Sequence, residues 1–332
     1  MEYRTIDKMN QSLLKKILIS PSAFLAQQQQ QGDSNKSHFV LGSLVDDMLL
    51  NPKVLDDKYF RMKAINVSDK VKQITLYIHD VFNTYEDGKW NDSELDKVIL
   101  KACLVYSHQP KWGDDAKIKN IRKAGEHYFI ALNEAKGRRI VSDVDYNKAT
   151  IAVAALKSDP ITGVFLKETK DCTIIKHKVI QFELDGVKIK GELDEVYIDH
   201  VAKTITPIDY KTTGMPITLF NNEFWKYRYD FQAATYFYGI QLDSEIKEYL
   251  DKEYTLLDFK YIVVEMESNN SPLVHRVSDK VMNIGLHGGT RTNGWKLEGL
   301  HDALNRYKFH KESDKWDYPK EYYSQEYLDI EI

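Results

Sequence analysis

The spacing of apolar and polar positions divides the chain into two parts with different periods. Up to about residue 160, apolar residues recur every three or four positions, the spacing of one helix face. Asn10 or Ser12 is placed to cap a first helix through Leu13, Leu14, Ile17 and Leu18. Ser20-Pro21 restarts a second, because proline is accepted at a first helical position. A short polar tract runs from Gln27 to Gln31, and His38 to Leu50 is strongly apolar with Gly42 inside it. Further helices are expected over about 71–85, 93–106, 114–135 and 145–157. Gly137-Arg138-Arg139 and Asp159-Pro160 read as breaks.

Near Cys172 the period drops to two. CTIIKHKVIQFEL, GVKIKGELDEVYI and KTITPIDYKTT are β-branched and partly alternating, with turn residues at Asp185-Gly186 and Asp199-His200. They predict three consecutive antiparallel strands. An aromatic-rich helix is expected from about Pro216 to Ile240, then two strands, FKYIVVEME and PLVHRVS, then a final helix from about Asp279 to His310. Leu286-His287-Gly288-Gly289-Thr290 lacks the Lys-Ser/Thr ending of a phosphate-cradling loop and reads as a turn or loop. This order predicts a mixed α/β fold with a central, mostly antiparallel or mixed sheet flanked by helices. No repeat or linker interrupts it, so a single domain over 1–332 is expected. Within it, 1–160 is mainly helical, 161–310 holds the meander with its flanking helices, and 311–332 is an acidic aromatic tail.

Composition narrows the class. With 332 residues, 42% of them hydrophobic, the chain can bury a real core. No apolar run approaches the roughly 20 residues that span a bilayer, and the charged, amphipathic start does not resemble a signal peptide, so a cytoplasmic protein with no membrane partner is expected. Cys103 and Cys172 form no CxxC pair, and the 10 histidines show no HxxxH spacing, which argues against zinc or iron–sulfur sites. A net charge of −4 does not suit a protein that coats DNA, but it leaves room for an enzyme with a local basic groove. The basic stretches Lys101–Arg139 and Lys167–Lys190 read as solvated faces.

One constellation carries chemistry. Asp194 lies in the second meander strand, within Gly191-Glu192-Leu193-Asp194-Glu195, and Asp209-Tyr210-Lys211 ends the third. Residues two apart on a strand share a face, so Asp209 and Lys211 point the same way. A hairpin centred between Val201 and Ala202 sets Asp194 opposite Asp209, with Cβ atoms about 5 Å apart. Facing carboxylates destabilise a sheet unless a positive charge lies between them. Magnesium suits such a pair, because it binds through one or two carboxylates plus waters and phosphate oxygens. Gln232 and Tyr236 follow at i and i+4 on one helix face.

A GxLD strand, a DxKTT strand and a QxxxY helix, in that order, resemble the RecB-like branch of the PD-(D/E)XK nucleases. The start of the chain, MNQSLLKKILISPSAFLAQ followed by HFVLGSLVDDMLLNP, resembles phage-type exonucleases related to RecE exonuclease (exodeoxyribonuclease VIII). The resemblance implies a restriction-endonuclease-like core and a catalytic set of Asp194, Asp209, Lys211, Gln232 and Tyr236. It implies Mg²⁺, replaceable by Mn²⁺, on Asp194, Asp209 and the backbone carbonyl of Tyr210. Asp46, where that family has a histidine, is the implied third side-chain ligand. Ser12, Ser20, Lys226 and Arg228 are implied DNA contacts. The implied activity is exonucleolytic cleavage of linear double-stranded DNA, 5′ to 3′, in phage-type recombination. A single-strand annealing recombinase is the implied partner, and a ring-shaped homo-oligomer, trimer or tetramer, the implied assembly. The alternatives are a structure-specific or Cas4-like nuclease of the same fold, against which the missing cysteine cluster counts, and a non-catalytic DNA-binding adaptor.

Overall fold

The computed structural model describes residues 3–29, 37–63, 67–82, 90, 94–267 and 272–326. The end of the glutamine tract, Ser93 and the last part of the acidic tail lie outside them. The chain divides into two compact units, Met1–Asp33 with Ala154–Ile332, and Ser34–Val153.

The first unit is built on a seven-stranded mixed sheet flanked by helices. Its strands are β1 (Met9–Asn10), β2 (Cys172–Leu184), β3 (Val187–Asp199), β4 (Thr204–Thr213), β5 (Thr255–Leu256), β6 (Lys260–Glu265) and β7 (Leu273–Arg276). The meander forms as its pattern predicts. Asp185 and Gly186 both take positive φ, 51° and 76°, the conformation a two-residue hairpin turn needs, and join β2 to β3. Asp199 Oδ1 accepts from the N–H groups of Val201 and Ala202 and closes the next turn. β3 and β4 pair antiparallel from Asp199↔Thr204 to Glu195↔Ile208, the register set by a turn centred on Val201-Ala202. β4 then runs parallel to β6, and β7 closes the edge antiparallel to β6.

The helix Gln11–Ile17 is capped by Asn10, whose Oδ1 accepts from the N–H of Leu13 at 2.9 Å. Ser20 Oγ caps Pro21–Gln29 by accepting from the N–H of Ala23 at 3.0 Å. The main core joins Leu14, Ile17 and Phe24 of these helices to Ile180, Phe182, Ile189 and Leu193 of the sheet and to Phe231, Tyr236 and Ile240 of a later helix.

Three expectations are corrected. The helix over 216–240 is broken: Phe220–Lys226 and Tyr229–Leu242 meet at Arg228, whose φ is 55°. The long final helix is two helices, Asp279–His287 and Leu300–Ser313, separated by a small antiparallel hairpin, Gly289–Thr290 with Lys296–Leu297. Gly288, Gly289 and Gly294 supply its positive φ values, and so stop the helix. The basic stretch 167–190 is not wholly solvated. Lys178 is buried against Asp243 and Glu245, and Lys190 donates to the carbonyls of Tyr3 and Ile6.

The second unit holds the helices Ser37–Leu50, Asp69–Phe82, Leu95–Val105 and Asp114–Ala135. A core of Ile74, Ile78, Leu95, Ile99, Ile121 and Phe129 links the last three. It also contains a two-stranded parallel ribbon, Tyr59–Met62 with Arg139–Ser142, which the helical period did not announce. Among the described residues, no helix is long and apolar enough to cross a membrane.

Candidate active site

β3 and β4 separate into a fork, and the candidate residues stand at its mouth. Their ladder ends at Glu195↔Ile208. Towards the start of β3, the same edge pairs with β1 only at Ile189 and Lys190. Residues 191–194 of β3 and the end of β4 therefore face each other without strand pairing. The alternation of β3 also slips here: Leu193 and Val196 both enter the core, with Asp194 and Glu195 between them. On β2, His177 takes a φ of 49° at the level of Asp194.

The fork leaves backbone donors to be satisfied. Asp194 Oδ2 accepts from the backbone N–H of Tyr210 at 2.7 Å. This side chain continues the pairing that the strands give up, and it holds one carboxylate beside the residue that follows the other. Asp209, 1% exposed, is the first β4 residue beyond the ladder. Its Oδ1 is ion-paired with Lys211 Nζ, and its Oδ2 accepts from Gln232 Nε2 at 3.2 Å. Gln232 also hydrogen-bonds Tyr236 one turn further along the helix, so both residues of that pair are buried at the site.

The electrostatics agree with a single cluster. Burial pulls the Lys211 ammonium down, but Asp209 and Asp194 outweigh it and hold the group above its ordinary value. Burial, then Asp209, push the Tyr236 hydroxyl well above its ordinary value, with Tyr3 and Asp194 adding to the shift. Glu195 leaves by the opposite route. It is fully buried and accepts from Tyr210 Oη at 3.2 Å, and burial lifts it to about 8.

One residue of the site carried no signal in the sequence beyond an amphipathic helix. Lys15 reaches towards the fork from the helix Gln11–Ile17 and donates to the carbonyl of Tyr227 at 3.2 Å. Burial, then Lys211, lower it to about 8, and it also feels Asp230, Arg228 and Asp209. Gln11, one turn earlier, is buried; its Nε2 donates to Ser12 Oγ at 3.0 Å, while its Oε1 has no hydrogen-bond partner among the described residues.

The remaining candidates are placed as follows. Ser12 stands exposed on that first helix, and Ser20 is used as a helix cap. Lys226 is exposed, 5.3 Å over the ring of Tyr227. Arg228 grips the buried carboxylate of Asp230 with Nε and Nη2 and donates to the carbonyl of Glu298 at 2.6 Å. Asp46 belongs to the helix Ser37–Leu50 of the second unit. Beside it, Asp47 is 5% exposed and accepts from Lys58 at 2.7 Å and Tyr59 at 2.8 Å.

Among the described residues, no group of three or more His, Cys, Asp or Glu side chains forms a ready metal cage. The fork instead offers two hard carboxylates and the backbone of Tyr210. This donor set suits a cation that keeps waters and takes the rest of its shell from a phosphate.

No protein-family model matches the chain, and neither does any curated protein sequence. Among solved structures, it is similar to the crystal structure of a "Putative exonuclease" from Eubacterium rectale, at 12% identity. The match covers 98% of this chain and 91% of that one, with a TM-score of 0.44.

Proposed function

We propose that this chain is a metal-dependent deoxyribonuclease acting from the ends of linear double-stranded DNA. The observation that carries the reading is the convergence of Asp194, Asp209 and Lys211 at the mouth of the β3–β4 fork. Two facing carboxylates with an ammonium beside them suit a hard cation and a phosphodiester.

Asp194, Asp209 and the carbonyl of Tyr210 would hold Mg²⁺ or Mn²⁺; Asp46 stands as a further ligand only through the resemblance. When bound, the metal supplies Lewis-acid polarisation of the phosphoryl group and a more acidic water. Gln232 fixes the direction of the Asp209 carboxylate by donating to Oδ2. Tyr236 fixes Gln232 in turn. Lys211 places a positive charge where negative charge develops on the attacked phosphate. Lys15, held at the Tyr227 carbonyl, adds a second cation for the strand backbone.

The family-like motifs add a direction, 5′ to 3′, a ring-shaped homo-oligomer and an annealing recombinase that takes up the resected strand. Digestion of end-labelled linear duplex in Mg²⁺, beside closed circular DNA, tests the reading. Linear DNA is expected to be degraded and circles spared, with activity abolished by EDTA and weak in Ca²⁺. Lys211→Ala is expected to lose about 10²-fold or more in rate. Full activity in EDTA, or wild-type rate in Lys211→Ala, would overturn it.

A further inference from the structure

The hairpin that splits the last two long helices presents an aromatic ring to solvent. Its tip is closed by Arg291 N–H to the carbonyl of Trp295 at 2.9 Å and Gly294 N–H to the carbonyl of Arg291 at 2.9 Å. Trp295 is 68% exposed. A tryptophan at the tip of a hairpin contributes little to folding there, because most of its apolar surface stays in water.

The hairpin is seated on the helix Phe220–Lys226 and on the break at Arg228 that follows it. The Arg291 guanidinium lies 4.4 Å over the ring of Trp225. Next along the chain, Lys226 stands over Tyr227, whose ring is 47% exposed. Tyr227 lies 5.8 Å from Tyr229, and Tyr229 lies 5.1 Å beneath Lys211 Nζ. From Lys211 the rings run outward through Tyr229 to Tyr227, and through Tyr229 and Phe224 to Trp225. At the hairpin's other end, the carbonyl of Glu298 is held by Arg228. Arg291 and Lys226 supply positive charge along these rings. Of the carboxylates nearby, Glu223 lies on the helix that carries Trp225, and Glu298 is ion-paired with Arg306 at 2.6 Å.

We propose that Trp295, Arg291, Trp225, Lys226 and Tyr227 form a stacking platform for an unpaired DNA strand beside the fork; this rests on the nuclease reading of that fork. Rings interleaved with cations match the two faces of a single strand, π-surface on the base and charge on the phosphate. A duplex hides all but its terminal base faces within the stack. The platform therefore separates strands by whether their bases are free, and it gives the strand released at the fork a place to leave by.

The test is fluorescence anisotropy of the full chain with a labelled 12-nucleotide single strand and a blunt duplex of the same sequence, in EDTA so that no cleavage competes. Trp295→Ala is expected to weaken the single strand about tenfold or more, and the blunt duplex less than twofold, while Trp295→Phe keeps most of the affinity. Equal single-strand affinity in Trp295→Ala and wild type, or equal weakening of both DNAs, would overturn the platform. Strand binding that depends on Trp295 in a protein that cuts no DNA in Mg²⁺ would overturn the nuclease reading and leave the platform standing.

Discussion

The ring of Tyr236 occupies the space where a side chain at residue 191 would stand: a Cβ on Gly191 would lie 2.9 Å from its Cε1. The same Cβ would lie 3.1 Å from Cγ1 of Ile180, so the glycine is hemmed in on both sides. From Tyr236 the contact runs through Gln232 to Asp209 Oδ2. The glycine of the GxLD strand thus sets the position of a carboxylate on the neighbouring strand.

Gly191→Ala is therefore expected to act at a distance. Overpacking of this kind costs about 1–3 kcal/mol. Urea unfolding reads the loss of stability, and single-turnover cleavage of linear DNA is expected to slow with it. Tyr236→Phe, which keeps the ring and removes only the hydroxyl, is expected to lose less stability than Gly191→Ala. Unchanged stability in Gly191→Ala would show that Tyr236 moves aside freely.

Lys15 is expected to serve the substrate rather than the fold. Burial and the cations Lys211 and Arg228 oppose its charge, Asp230 and Asp209 favour it, and the balance lies against it. Lys15→Met is expected to leave the melting temperature within a few degrees of wild type. DNA binding is expected to weaken, and the slope of log affinity against log salt to fall by about one, as for one lost phosphate contact. A collapse of the fold with an unchanged salt slope would assign Lys15 to structure.

Adjacent aspartates of the second unit separate two roles. Asp47 is buried and receives hydrogen bonds from Lys58 and Tyr59. Asp47→Asn weakens both and is expected to cost about 1–3 kcal/mol whether or not metal is present. Asp46→Asn is expected to reduce the rise in melting temperature that Mg²⁺ produces, because a ligand that binds only the native state stabilises it by mass action. An undiminished Mg²⁺ response in Asp46→Asn would remove Asp46 from the metal site.

His275 links stability to pH. Its ring lies 4.8 Å from that of Phe220, its Nε2 has no hydrogen-bond partner among the described residues, and burial holds its pKa below the ordinary value. The folded protein favours the neutral ring. Its contribution is fully present above the unfolded value of about 6.5 and is lost as pH falls through the lower folded value. Melting temperatures of wild type and His275→Phe, measured from pH 7.5 to 5, are expected to diverge, with the wild type falling further. Parallel curves would show that the imidazole can be protonated in place.

Much of the site was legible because it depends on short-range repeats. The two-residue period of a strand sets Asp209 and Lys211 on one face, and they pair. The helical period brings Gln232 and Tyr236 together. Turn residues centred on Val201-Ala202 set the register that ends at Glu195↔Ile208, one step short of the two aspartates. Each follows from backbone geometry that any chain with this pattern shares. Tertiary structure alone decided the rest. Arg228 breaks its helix because Asp230 and the distant carbonyl of Glu298 hold it in a left-handed conformation that propensity disfavours. Lys15 enters the site through contacts with residues some two hundred positions away, and Trp225 meets Arg291 only once the hairpin is folded onto it. Such contacts have no period along the chain. They arise only when packing has brought the elements together, and this is why the carboxylates could be read from sequence while the cation and the rings beside them could not.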